Sequence, residues 1–229
     1  MIAITFALPT ESSGLRQRLR DIRRDGNMVS GRIGDHAVTI SHTGVGAKKC
    51  NERIEELLHK ARPRLVISSG FAGAVVEDFH VSDLILAENF SDRQLLTNAE
   101  RILRDHKPKV TKLFTSKSIA DSIAERNQIA SASGAEAVDM ETSAIVEICT
   151  AHGVPLLSLR AISDSPTESF PAPPNVLFDI ERQRPNYGRL IRYLLRYPAS
   201  IASLSQFRLR IARVRAVLTD AIAALITEI

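Results

Sequence analysis

At 229 residues, 44% hydrophobic and 24% charged, the chain has ordinary globular composition and the length to bury a full core as one domain over 1–229. Its 30 basic and 26 acidic residues leave a net charge of +4, concentrated in residues 16–24 and 182–215. No aromatic interleaving or binding motif accompanies those runs, which excludes a nucleic-acid partner from the reading and leaves them as solvated helix faces.

The opening MIAITFALPTESSGL lacks the basic start and cleavage pattern of a signal peptide, and no run approaches the ~20 apolar residues that span a bilayer. A cytoplasmic protein is the expectation. Residues 2–8 are apolar and rich in β-branched side chains, as a buried strand requires. Pro9, Thr10 and Glu11 turn out of it, with Thr10 as N-cap and Glu11 in the first turn of a helix reaching about Arg24. In local context Glu11 does no more than complement the helix dipole. Residues 29–33 and 37–41 pair as a hairpin about Gly34 and Asp35. His42-Thr43-Gly44-Val45-Gly46 then leads into a helix over 47–60, an arrangement that lets backbone N–H groups approach an anion or a ribose, although such glycines also serve plain turns.

Residues 65–69 read as a strand entering the loop Gly70-Phe71-Ala72-Gly73-Ala74, whose glycines imply positive φ or a close backbone approach. Residues 83–90 read as a strand, 91–109 as polar and irregular, 110–115 as a strand and 116–133 as a helix ended by Gly134. Cys50 and Cys149 fall in predicted helices without metal-ligand spacing, as buried thiols in a reducing compartment do, and no metal site is expected.

The densest chemistry lies in residues 137–164, AVDMETSAIVEICTAHGVPLLSLRAISD. A strand over 135–140 meets a helix over 142–152, whose Ala144, Ile145, Ile148 and Cys149 share one stripe. A strand over 156–162 follows. Asp139 and Glu141 sit at the strand–helix junction, and Ser163 and Asp164 sit where the next strand stops. Strand C-terminal ends of a parallel sheet face a common crevice, so Glu141 and Asp164 are expected to meet there. Residues 165–175 contain four prolines and form a loop placed to cover that crevice. Its Phe170 either packs over a ligand or pins the loop to the core. From Tyr187 the chain reads as helical, alternating basic and apolar faces, with a break at Pro198. Strands alternating with helices predict a three-layer α/β/α sandwich with a central mixed sheet.

AVDMETSAI and LRAISD, with ALPTE, SHTGVG and VISSGFAGA in matching order, resemble the nucleoside phosphorylase/nucleosidase superfamily. Within it the chain most resembles the methylthioadenosine/S-adenosylhomocysteine nucleosidases over most of residues 1–170. The tail from about Arg182 is less similar, and its RLIRYLLRYP resembles the hopanoid-associated phosphorylase branch, whose implied substrate is a purine nucleoside carrying a large apolar group.

The resemblance implies an enzyme without cofactor that cleaves a purine N-glycosidic bond. Asp164 would be the general acid at the base, which requires its carboxyl to hold a proton near neutral pH, and a desolvated pocket would favour that. Glu141 would accept bonds from the ribose hydroxyls as an ionised carboxylate, Met140 would pack on the sugar, and Glu11 would activate water. Arg160 and Ser163 would support the ribose side and orient Asp164, with a structural ion pair as the alternative for Arg160. Asp139 stands where these nucleosidases carry glutamate, and Phe71, beside Gly70, stands where they carry serine and reshapes the base end of the pocket. Phosphate replaces water as co-substrate if the chain is a phosphorylase, with His42, Lys48 or Arg93 as its ligands, and a non-catalytic nucleoside sensor is a further class. The family pattern implies a homo-oligomer, a dimer in the first instance. Membrane contact is disfavoured, an apolar stripe on the basic tail helices being its only route.

Overall fold

The computed structural model describes the backbone of residues 1–168, 170–179 and 184–229. Ser169 and the expected start of the tail at Arg182 lie outside the described residues. In chain order the elements are β1 (Ile2–Phe6), α1 (Ser13–Gln17), β2 (Arg20–Asp25), β3 (Met28–Ile33), β4 (His36–His42), α2 (Ala47–Ala61), β5 (Leu65–Ala74), β6 (Leu84–Ala87) and α3 (Arg93–Ile102). They continue with β7 (Lys109–Thr111), β8 (Leu113–Thr115), α4 (Ile123–Ser133), β9 (Ala137–Asp139), α5 (Thr142–Ala151), β10 (Leu156–Asp164), α6 (Pro174–Leu177), the two-residue pair β11 (Phe178–Asp179) and β12 (Arg184–Pro185), α7 (Tyr187–Arg196) and α8 (Ser200–Glu228).

The main sheet is mixed and runs β2-β3-β4-β1-β5-β10-β6-β7, with β9 pairing the far end of β5 and β8 pairing β9. Strands β4, β1, β5 and β10 are mutually parallel, so their C-terminal ends share one edge. Alternation along β1 divides the core. Ile2, Ile4 and Phe6 pack with Leu15 of α1, Ala99 of α3 and Leu218, Ile222 and Leu225 of α8. Ala3 packs on the other face with Cys50, Ile54 and Leu57 of α2 and Ile145, Ile148 and Cys149 of α5. Helices therefore cover both faces, the predicted α/β/α sandwich on a mixed sheet. Burial pushes both thiols up to about 12, so Cys50 and Cys149 are free and protonated.

Several local readings are corrected. The expected helix from Glu11 to Arg24 stops at Gln17, is capped at Ser12 rather than Thr10, and gives way to β2. Every residue of β2 is exposed, and Arg20, Arg23 and Arg24 guard this sheet edge against further strand pairing. The expected loop 70–74 is the continuation of β5. Residues 83–90 yield only β6 and a 3₁₀ turn at Glu88–Phe90. The stretch read as irregular contains α3, whose start is fixed by Asp92 accepting from the backbone N–H groups of Gln94 and Leu95. The helix expected from 116 begins at Ile123 behind a Ser122–Glu125 capping box, and Gly134 ends it with φ 66° as expected. Among the described residues no helix is long and apolar enough to cross a membrane.

Candidate active site

At the shared carboxyl edge lies a cavity of about 360 Å³. Its floor comes from the turn after β1, the end of β5, the β9–α5 junction and the end of β10. Glu11, Phe71, Asp139, Met140, Glu141, Ser163 and Asp164 all line it. Its opposite wall is apolar and comes from Ile119 and Ala120 ahead of α4, Phe170 of the proline loop, Leu177 of α6, and Phe207 and Ile211 of α8. Phe170 and Phe207 meet edge to face, their ring centroids 5.9 Å apart.

Each carboxylate is held by a distinct device. Glu11 Oε2 accepts from the Leu8 N–H at 2.8 Å and Oε1 from the Phe71 N–H at 3.0 Å, so the strand ends of β1 and β5 clamp it between them. Burial raises its pKa, while those two N–H donors and Arg160 oppose the rise. Gly70 is required here: its φ is +147°, and a Cβ would lie 3.0 Å from Glu11 Oε1 and 3.3 Å from Arg160 Nη1. Asp164 accepts from two sides, through Oδ2 from the Arg126 guanidinium and through Oδ1 from Ser163 Oγ at 2.7 Å. The adjacent Gly73 leaves room for this, since a Cβ would lie 3.0 Å from Asp164 Oδ2.

These contacts bear on two of the expected roles. Asp164 is buried as the acid role requires, and its two oxygens are held from opposite sides by Arg126 and Ser163. Glu141, expected to be ionised, has its pKa pushed up to about 8 by burial first and then by Asp139 and Glu11, with Arg160 opposing. It holds a proton at neutral pH, and one oxygen lies 3.4 Å from the Gly46 N–H.

Arg160 makes the ion pair that was the alternative for it. Its Nε and Nη2 bind Asp139 Oδ2 at 3.1 and 2.9 Å, and Nη2 also reaches Ser68 Oγ at 2.8 Å and Thr142 Oγ1 at 2.6 Å. Asp139 further accepts from Thr115 Oγ1 at 2.9 Å and from the Thr142 N–H, so its carboxylate braces the start of α5 and has little capacity left for a ligand. Its shortness relative to glutamate suits that bracing. A second, smaller void of about 10 Å³ lies between Glu11, Glu141 and Arg160, wide enough for one water. Thr5 Oγ1 and Ser69 Oγ, which have no protein hydrogen-bond partner, belong to residues lining it.

The expected phosphate ligands lie elsewhere. His42 binds Ser12 Oγ at 2.7 Å, and burial followed by Arg16 and Arg53 lowers its pKa to about 4, so it is a neutral structural histidine. Lys48 and Arg93 are exposed and line neither cavity. Among the described residues the larger cavity is lined by no Lys, Arg or His, and no group of three His, Cys, Asp or Glu is placed to hold a metal ion.

Arg126 was not found from the sequence, because its partner lies 38 positions away and α4 carries no clear apolar stripe around it. Ile119, Ala120, Leu177, Phe207 and Ile211 were missed because nothing in their local pattern separates a cavity wall from a core face.

A mixed α/β sandwich with four acids, Glu11, Asp139, Glu141 and Asp164, gathered in a largely apolar cavity at its carboxyl edge is the architecture of a small-molecule-binding enzyme. The chain belongs to the phosphorylase superfamily, whose family model matches residues 2–108 and 90–197. A 5'-methylthioadenosine/S-adenosylhomocysteine nucleosidase of Staphylococcus haemolyticus is 24% identical over 196 residues, spanning 72% of this chain and 86% of that protein. Among solved structures, the nucleosidase of the same name from Neisseria meningitidis, in complex with methylthio-immucillin-A, superposes with a TM-score of 0.75 at 16% identity over 100% of this chain and 99% of that one. A futalosine hydrolase of Helicobacter pylori superposes with a TM-score of 0.74, also at 16% identity, over 100% of this chain and 97% of that one.

Proposed function

We propose that the protein is a purine nucleosidase that hydrolyses the N-glycosidic bond of an adenine nucleoside. The observation that carries this reading is the convergence of Glu11, Glu141 and Asp164 on one cavity. Breaking the bond develops positive charge on the ribosyl carbon and negative charge on the departing base. Asp164, held in place by Ser163 and Arg126, acts as the acid that passes a proton to the base as the bond breaks, and regains one from solvent after the base leaves. Glu141, carrying its proton, donates one bond and accepts another from the ribose hydroxyls, with Met140 against the sugar. Glu11, whose burial strengthens it as a base, takes the proton of the attacking water.

Hydrolysis is favoured over phosphorolysis because phosphate needs cationic or multiple N–H donors at the sugar face. Glu11 and Glu141 face the cavity there, the one cation beside them among the described residues, Arg160, is paired with Asp139, and the void between them admits a water. The names of the Staphylococcus and Neisseria proteins suggest methylthioadenosine or S-adenosylhomocysteine as the substrate. The apolar wall at Phe170, Leu177, Phe207 and Ile211 suits a 5'-substituent of low polarity. The reading includes a cytoplasmic location, with which two buried free thiols agree, and a homo-oligomer.

Purified protein is to be incubated with methylthioadenosine, S-adenosylhomocysteine, adenosine and inosine, with and without phosphate. Free base should form at equal rate in both conditions, and Asp164→Asn should abolish turnover while nucleoside binding persists. Strict dependence on phosphate would overturn the hydrolase, and turnover unaffected by Asp164→Asn would overturn the acid.

A further inference from the structure

The tail carries a surface that the cavity does not use. Helix α7 packs on α6, and Leu190, Tyr193 and Leu194 on its inner side are half-buried. Its outer side presents Ile191, 60% exposed, and Leu195, 81% exposed, one turn apart. Arg192 and Arg196, also exposed and one turn apart, run beside them. Tyr197 and Ile201 carry the exposed apolar surface around the corner into α8. From residue 187 to residue 215 the sequence has seven arginines and no Asp or Glu.

Single exposed leucines are ordinary, but apolar side chains stacked a turn apart and flanked only by cations are the composition of a helix that lies in a membrane interface. We propose that the outer face of α7 and the α7–α8 corner dock on an anionic lipid surface. Arg192 and Arg196 meet headgroup phosphates, while Ile191, Leu195 and Tyr197 enter the boundary with the acyl chains. Charge selects this occupant over a second copy of the chain. A two-fold interface built on this face would set the arginine pairs near their own counterparts, whereas an anionic leaflet attracts each of them. The proposal runs against the expectation that membrane contact is disfavoured, and does so through the stripe that was its one route. This inference is independent of which nucleoside the cavity accepts.

The test is co-sedimentation of the full-length protein with vesicles of phosphatidylglycerol mixed with phosphatidylcholine, and with vesicles of phosphatidylcholine alone. The protein should pellet with the first, remain in solution with the second, and be released by raised salt. Arg192→Gln combined with Arg196→Gln should weaken binding on the order of 30-fold, and Leu195→Glu by about tenfold or more. Both variants should keep the wild-type melting temperature, because these side chains are exposed. Failure to pellet with the anionic vesicles overturns the proposal, as does equal pelleting of wild type and variants. Light scattering that shows Leu195→Glu turning a dimer into a monomer, with vesicle binding unchanged, assigns the face to subunit contact and also overturns it.

Discussion

Arg126 and Asp164 form an ion pair that is almost fully withdrawn from solvent, and the arginine's other nitrogen donates to the Ala74 carbonyl. A charge in such a place is tolerable only with its partner present, so removing one side should cost far more than the pair's net worth. Arg126→Gln is expected to lower the free energy of unfolding by about 3–5 kcal/mol, and the double replacement Arg126→Met with Asp164→Leu to recover much of that loss. Urea titration of Arg126→Gln, of the double variant and of its two single components checks this, and an additive double mutant would show the two side chains to be uncoupled. Glu11, Glu141 and Asp164 were legible before any coordinates because each sits in a short recognisable segment. The raised pKa values of Glu11 and Glu141 were not legible, since those depend on burial and on Arg160 across the sheet, and for Glu141 on Asp139 and Glu11 as well. Local context also misread Glu11: it stands just ahead of α1 and is held by a neighbouring strand.

The elements were legible where an apolar period was strong, as in α2, α5, β1 and β10. They were misread where charge masked it. In β2 the arginines at 20, 23 and 24 invite a helical reading, yet an edge strand facing solvent on both sides needs no apolar alternation. In β5 the glycines read as loop, but the strand runs through them because bare backbone makes room for carboxylates on either side. Gly73→Ala tests that account. Its methyl would lie 3.0 Å from Asp164 Oδ2 and 3.4 Å from Arg126 Nη1, so the acid must shift while the strand stays paired with β9 and β10. Turnover should fall about 100-fold with a near-native circular dichroism spectrum. Wild-type rates in this variant would mean that the acid's position tolerates movement.

For the whole molecule, the gathering of buried acids in one pocket links stability to pH. Glu141 titrates near 4.5 when unfolded and at about 8 when folded, so between those values the folded chain keeps a proton that the unfolded chain has released. Its contribution is complete below pH 4.5 and declines as pH rises toward about 8. Unfolding free energy should therefore drop across that window, and Glu141→Gln should flatten the drop. An unchanged slope in the variant would place the effect on another group. The three-layer architecture was legible from element order alone, whereas the second wall of the cavity was not, because α8 looks like one uniform basic helix. Its 29 residues contain no Gly or Pro and make a rod about 43 Å long. The far half is fixed in the core by Leu218, Ile222 and Leu225, and Arg18 grips Asp220 at the surface. The near half meets the cavity through Phe207 and Ile211, with Phe207 against Phe170 and Arg210 donating to the Glu168 carbonyl. One unbroken rod thus serves as both core helix and cavity wall, so the pocket's outer boundary inherits its position from packing at the opposite end of the same element.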